Sequence, residues 1–256
     1  MPPGVLWVSS RILPSAPTLA PQSFCTWYEE THIQEVTSLP GVPRAARYEA
    51  LSPQPSPTTW SSLVPWLTVY EMPDVDYRST EEFKELDGQS RPGQELLEGV
   101  FRQARFDTRF CEEVQWFENP VSSAAGDGET SEEVKKKTEG PAKFLISAAL
   151  QPADGEPAHA DFDRWYREEH LAFFTRAPGY RRSRRYRVVD ATALDGFERI
   201  RPEVPCYLAL HEFDGEELPW GVLRESAETE WARRVMGGLV REEVGWYRLK
   251  RRYGEW

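Results

Sequence analysis

The sequence predicts an α+β fold made of two copies of one βαββαβ unit. The first observation is an internal repeat. The run FCTWYEETHIQEVTSLPGVPRAARY at 24–48 matches FDRWYREEHLAFFTRAPGYRRSRRY at 162–186 without a gap, and eleven of these 25 positions are identical. The second observation is that strand-like runs surround the repeat in the same order in both halves. Only two copies are present, which excludes a solenoid and indicates a duplicated unit.

Each unit begins with a strand and a helix. Apolar runs at 5–12 and 143–150 predict the first strand, and the spacing of aromatic residues predicts helices over about 22–38 and 160–176. A Pro-Gly pair follows each helix and ends it, because neither residue continues a helix.

The remaining elements complete each unit in the same order. A second strand with alternating arginines ends at Tyr48 or Tyr186, and an additional helix begins at the capping-box pattern Ser79-Thr80-Glu81-Glu82 of the first half. The other predicted bounds are 66–72 and 207–213 for the third strand, about 95–110 and 223–237 for the second helix, and 112–117 and 242–247 within the fourth strand.

A βαββαβ unit forms a ferredoxin-like layer in which both helices cover one face of an antiparallel sheet. The other face is apolar, and two units can pair their sheets into a closed barrel. We therefore predict a ferredoxin-like repeat at 1–118, a flexible linker at 119–142 and a second repeat at 143–256. The linker is predicted from its polar, glycine-rich and charged composition. The chain would be an intramolecular pseudo-dimer, with a further homodimer left open.

Composition excludes several classes of partner. A net charge of −11 argues against binding to nucleic acid or to anionic membranes. No apolar run is long enough to span a bilayer, and the N-terminal run lacks the basic residues of a secretion signal. Three cysteines without C-x-x-C spacing favour a reducing compartment. We expect a cytoplasmic protein that binds neither nucleic acid nor membrane.

The repeated motif resembles the EthD-like branch of the dimeric α+β barrel superfamily. The resemblance rests on the run F-x-x-W-Y-x-E-E/T-H, the P-G pair and the ending R-x-x-R-Y, and it covers most of both halves. The superfamily includes cofactor-independent monooxygenases, polyketide cyclases, lactone isomerases, decarboxylases and haem enzymes, so the fold does not select one activity. Tandem chains that resemble this one are typical of fungi, where many tailor products of secondary metabolism.

Histidines of the repeated helix are the first candidates for catalysis. On a helical wheel His170 lies on the aromatic side of its helix, and His32 takes the same position in the first half. An imidazole in a poorly hydrated pocket can transfer a proton near neutral pH. The alternative is a structural histidine that hydrogen-bonds a backbone carbonyl. The predicted catalytic residues are His170, His32 and, on the third strand, His211.

Aromatic and basic side chains near these histidines are the candidates for substrate binding. Rings would line an apolar pocket, and an arginine would hold a carboxylate or enolate oxygen. The alternative places the arginines of the second strand in salt bridges with Glu30 or Glu168. The predicted binding residues are Trp165, Tyr166, Phe174, Arg182, Arg185, Tyr28, Trp27 and Tyr70. Tyr70 takes the position of His211, so the halves differ where an asymmetric substrate would need a difference.

The expected function is cofactor-independent tailoring of an aromatic or polyketide-derived small molecule in secondary metabolism. Acid/base catalysis would drive cyclisation, dehydration, decarboxylation or isomerisation, as in a lyase, isomerase or cyclase. The sequence contains neither a metal-binding motif nor a phosphate-binding glycine loop, so we predict no metal and no cofactor. The alternatives are a cofactor-free monooxygenase and a non-catalytic binding protein for a hydrophobic metabolite.

Overall fold

The centre of the molecule is an antiparallel β-barrel, as seen in a computed structural model that describes residues 2–16, 18–119 and 140–256. The strands in chain order are β1 (Gly4–Ile12), β2 (Arg44–Ala50), β3 (Trp66–Met72), β4 (Ala104–Glu118), β5 (Phe144–Pro152), β6 (Tyr180–Asp195), β7 (Glu198–Ile200), β8 (Tyr207–Phe213) and β9 (Leu239–Tyr253).

Eight of these strands close into a ring in the described part of the chain. They lie in the order β4-β1-β3-β2-β9-β5-β8-β6, and pairing of β6 with β4 closes the barrel. The short β7 extends β6 as a hairpin outside the ring. The two halves therefore contact each other at two seams, β2 with β9 and β4 with β6. Closure leaves no strand edge unpaired in the ring.

Helices lie on the outside of the barrel. They are α1 (Pro21–Trp27), α2 (Ile33–Thr37), α3 (Trp60–Leu63), α4 (Glu81–Lys84), α5 (Gln94–Gly99), α6 (Glu156–Trp165), α7 (Leu171–Phe174), α8 (Trp220–Glu228) and α9 (Glu230–Gly237). A π-helical turn at Tyr28–His32 joins α1 to α2, and a second at Tyr166–His170 joins α6 to α7. No helix among the described residues is long and apolar enough to cross a bilayer.

Several predicted bounds agree with the structure, and one helix does not. The third strands at 66–72 and 207–213 are β3 and β8, and Thr80 caps α4 by accepting a hydrogen bond from the Phe83 amide. The helix predicted over 95–110 is wrong beyond Gly99, because residues from Ala104 onward pair with β1 and β6. Strand pairing within the barrel overrides the local helical pattern.

Gly179 lies at the turn into β6, as the Pro-Gly pattern predicts. Its φ of +73° is in the left-handed region, and a Cβ atom there would lie 2.4 Å from the Gly215 amide nitrogen. Both facts require glycine. The linker predicted at 119–142 lies outside the described residues over 120–139.

The barrel interior combines an apolar core with a buried ion cluster. Arg182 on β6 contacts Glu212 on β8 at 2.8 Å, and Arg184 contacts Glu212 at 3.2 Å and Glu71 of β3 at 2.6 Å. Burial alone would raise the pKa of Glu212, but the two guanidinium groups lower it to about 2. The cluster therefore joins strands of both halves inside the barrel.

Replacing Glu212 by glutamine should destabilise the barrel. The substitution keeps the size of the side chain but removes a fully buried carboxylate from beside two arginines, and such a change costs about 3 kcal/mol of unfolding free energy or more. Urea denaturation followed by circular dichroism measures this loss. Glu203→Gln, which removes a salt bridge with Arg241 at the surface, should leave the midpoint nearly unchanged. Equal effects of the two substitutions would contradict a structural role for the ion cluster.

Candidate functional site

A cavity of about 400 Å³ lies between the sheet of the second half and its helices. Strands β5, β8 and β9 form its floor, while α6 to α9 and the second π turn form its walls and mouth. Its volume suits a small organic ligand. The lining side chains are mostly apolar or aromatic: Ile146, Ala148, Leu150, Trp165, Tyr166, His170, Phe174, His211, Trp220, Leu223, Arg224, Ser226, Ala227, Met236, Val244 and Trp246.

The equivalent space in the first half is nearly filled. It holds about 50 Å³, which is room for one or two water molecules. Tyr28, His32 and Tyr70 line it. The rings of Phe101 and Phe106 also line it, with their centroids 5.5 Å apart. An aromatic ligand therefore fits only the second of these two spaces.

The second π turn positions His170. The Leu171 amide donates to the Tyr166 carbonyl, five residues earlier, instead of to the residue four earlier. The first half repeats this geometry, with the Ile33 amide donating to the Tyr28 carbonyl. π-helical turns inside α-helices occur frequently at functional sites.

Aromatic rings surround His170. Its ring centroid lies 4.3 Å from Trp165, 4.4 Å from Phe174 and 5.7 Å from His211. Nδ1 is buried and has no hydrogen-bond partner among the described residues. Burial, followed by the nearby His211 and Arg185, lowers the pKa of His170 well below its usual value. The imidazole is therefore neutral at pH 7.

His211 belongs to a buried hydrogen-bond chain. Its Nδ1 lies 2.6 Å from the Ser183 hydroxyl oxygen, which lies 2.8 Å from the Tyr180 hydroxyl. Burial, with a smaller contribution from Arg185, lowers the pKa of His211 to about 3. The bond to Ser183 occupies Nδ1 and leaves Nε2 for a ligand.

The structure brings together five of the predicted site residues. They all line the large cavity: Trp165, Tyr166, His170, Phe174 and His211. Four others lie in the first half. There Trp27 stacks on His32 with their ring centroids 5.2 Å apart, and His32 Nδ1 lies 3.6 Å from a carboxylate oxygen of Glu35.

The two predicted arginines do not line the cavity. Arg182 points into the barrel, where it pairs with Glu212, so it lies outside the lining of this cavity. Arg185 lies behind Tyr166, with its guanidinium 4.1 Å from the ring centroid, and bonds Asp163 and Gln115. Ion pairing by Asp163 keeps Arg185 in place beneath the tyrosine.

The salt bridge of Glu30 differs from the one that the sequence predicts. Glu30 pairs with Arg251 of β9, across a seam between the halves, and not with an arginine of β2. One of the two arginines of β2, Arg47, instead lies 3.5 Å from Glu29. Its guanidinium also lies 3.9 Å from the Cys25 sulfur. Cys25, Glu29 and Glu49 are close enough to hold a metal ion, but a cation there would have to displace Arg47.

Sequence reasoning missed the residues that complete the site. Ser183 lies within the arginine run of β6. Side chains alternate between the two faces of a strand, so Ser183 lies on the other face of β6 from Arg182 and Arg184. The mouth of the cavity contains Trp220, Arg224 and Trp246. The spacing of 220, 223, 224 and 227 is that of one helical face, and this signal could have found the α8 residues.

Comparison with known proteins shows the fold. No family model and no curated protein matches the sequence. An anthrone oxidase-like protein of known structure is 14% identical, aligns over 98% of this chain and 92% of its own, and superposes with a TM-score of 0.54. The chain therefore has the fold of the dimeric α+β barrels. A protein provisionally assigned as a chlorite dismutase is 11% identical over 98% and 95% of the two chains, with a TM-score of 0.50.

A third similar structure is a provisionally assigned monooxygenase from Fusobacterium nucleatum. It is 6% identical over 99% of this chain and 95% of its own, with a TM-score of 0.48. The first two comparisons show the fold alone, and the chemistry of the site has to be argued from its own residues.

The buried histidines should make stability depend on pH. An unfolded histidine takes up a proton near pH 6.5, whereas folded His211 does so only near pH 3, so stability rises with pH between these values and is lost as the pH falls. At pH 5 the difference for one such histidine is about 2 kcal/mol. His211→Gln should therefore reduce the loss of unfolding free energy between pH 7 and pH 5 by about that amount.

Urea titrations at pH 7 and at pH 5 measure this slope, which is the change in unfolding free energy between the two pH values. The slope does not depend on the absolute stability of the variant. His159→Gln, at a histidine that bonds Tyr207 outside the cavity, serves as the control for replacing a histidine by glutamine. A slope in His211→Gln equal to that of the unchanged chain would contradict the neutral, buried state of His211.

Proposed function

We propose that this chain is an enzyme that removes a proton from an aromatic or polyketide-derived small molecule bound in the large cavity. The observation that carries the proposal is the pair of imidazoles of His170 and His211, 5.7 Å apart in the wall of an apolar space of about 400 Å³. A ligand in that space can contact both rings.

The lowered pKa values define what such a base can do. Both histidines are neutral at pH 7 and can accept a proton, but they are weak bases. The substrate proton must therefore be acidic, as in a phenol, a 1,3-dicarbonyl or a methylene group beside an aromatic ketone. The Ser183 hydroxyl can accept a hydrogen bond from Nδ1 of a charged His211, which supports the imidazolium once it forms.

Several reactions begin with this step. Loss of the proton leaves an enolate or phenolate, which can then cyclise, lose water or carbon dioxide, or be reprotonated as an isomer. All of these outcomes use the protein only to hold and transfer protons. Tailoring of a secondary metabolite without a metal or cofactor is the function that we propose from this chemistry.

Oxidation by molecular oxygen is the second candidate. An electron-rich carbanion can react with O₂ without a cofactor, and one protein that shares this fold is an anthrone oxidase-like protein. Anthrones are aromatic ketones with an acidic methylene group. The aromatic cavity and the histidine pair suit such a substrate, and a requirement for oxygen would separate this reaction from the first group.

We infer that the two halves are tandem ferredoxin-like units and form a pseudo-dimer within one chain. In support, each half contributes four neighbouring strands in the same relative order, β4-β1-β3-β2 and β9-β5-β8-β6. Each half also contains a π turn that ends in a histidine. The repeated motif further supports placing the chain in the EthD-like branch, in a fungal tailoring pathway.

Deleting the gene and restoring it with single variants tests the function. Extracts compared by mass spectrometry should show an intermediate that only an active chain converts. His170→Ala and His211→Ala should lower product formation about 100-fold or more, the usual contribution of a general base. His32→Ala, in the filled half, is the matched control and should restore the product.

The mass of the missing product identifies the reaction. A gain of oxygen indicates the oxygenase, no change indicates isomerisation, and a loss of water or carbon dioxide indicates elimination. If both cavity variants fold, as judged by circular dichroism, and restore the product fully, the histidines are not catalytic and the chain is a binding protein.

A further inference from the structure

We propose that the ligand of the large cavity carries a carboxylate and that Arg224 binds this group at the mouth. The proposal rests on the proposed function in one respect, since it assumes that the same cavity is the ligand site. It adds the chemical class of the ligand, an aromatic acid, and a residue that selects for it.

Arg224 differs in charge from every other described side chain that lines the cavity. Those side chains are apolar or aromatic, apart from the hydroxyl of Ser226 and the two neutral histidines. The Ser226 hydroxyl already donates to the Leu223 carbonyl of its own helix. A charged group on a ligand therefore meets a single permanent charge of the protein there, the guanidinium of Arg224.

The helix places this guanidinium at the opening. Trp220, Leu223, Arg224 and Ala227 share the face of α8 that lines the cavity, because they follow helical spacing. Arg224 is exposed, so its stem can lie along the apolar wall while its head stays in water. Trp220 lies 6.2 Å from Trp246 at the same rim.

Arg224 lacks the carboxylate partner that its neighbours have. Arg176 lies 3.6 Å from Glu225, and Arg234 lies 3.1 Å from Asp161. Within the described parts of the chain no acidic side chain pairs with Arg224. A guanidinium presents a planar fork that matches a carboxylate, and this fork is available to a ligand.

Binding at the mouth would orient the ligand toward the histidines. With the carboxylate on Arg224, the aromatic part lies in the cavity, where His170 and His211 are among the lining residues. The chain as a whole carries a net charge of −11 and repels anions. A local cation at the opening therefore favours the entry of an acid.

Calorimetric titration with two matched probes tests the proposal. Naphthalene-2-carboxylate carries the charge, and naphthalene-2-carboxamide has nearly the same shape without it. In low salt, Arg224→Gln should weaken binding of the carboxylate about three- to tenfold and leave binding of the amide unchanged. Arg233→Gln, at an exposed arginine of α9 outside the lining, is the control and should change neither affinity. Salt at about 0.5 M should reduce the difference in binding affinity between the two probes.

Three results would overturn the proposal. The first is unchanged carboxylate binding in Arg224→Gln. The second is an equal loss of affinity for both probes, which would show that Arg224 contributes packing and not charge recognition. The third is absence of binding of both probes to the unchanged chain.

His170→Ala and His211→Ala separate this proposal from the proposed function. Both variants should keep the preference for the carboxylate, because neither removes the guanidinium. If they also restore the metabolic product, the enzyme proposal fails while Arg224 still selects acids, and the chain is a carrier of aromatic acids. Loss of the preference in these variants would instead show that the histidines bind the carboxylate, and would overturn the role of Arg224.

Discussion

The register between β6 and β8 is the constraint on which the site depends. In this register Arg182 lies opposite Glu212, and Ser183 lies opposite His211. Successive residues of a strand point to opposite faces, so the first pair lies inside the barrel and the second faces the helices. A slip of one residue would bury His211 in the barrel and expose the ion cluster to the cavity. The ion pair inside the barrel and the histidine chain outside it thus depend on one another.

The two halves of the chain contain similar elements, but only the second has a large space beside its π turn. Both contain the π turn and its histidine, but the space beside the turn is about 400 Å³ in the second half and about 50 Å³ in the first. The rings of Phe83, Phe101 and Phe106 line the small first space. In the second half the space beside His170 and His211 is open, although Trp165 and Phe174 also contact His170. The first half therefore forms the other side of the barrel, and the second half contains the candidate site.

The sequence predicts much of this arrangement but not the difference between the halves. The repeat and its periodicity predict the order of elements, the bounds of β3 and β8, and the side of the helix on which His170 lies. The pattern also separates Arg182 from Arg185 by strand face, but it does not tell which face is the barrel interior. That distinction depends on closure of the ring by distant strands. The π turns and the filling of the first cavity depend on packing that periodicity does not describe.

A crystal of the chain soaked with 6-bromonaphthalene-2-carboxylate would test most directly whether the second half is the ligand site. Anomalous scattering locates the bromine without assumptions about the pose. The account predicts a bromine peak in the cavity bounded by Trp165, His170 and His211, and none in the space bounded by Tyr28, His32 and Tyr70. A peak in the first half, or peaks only on the outer surface, would contradict it.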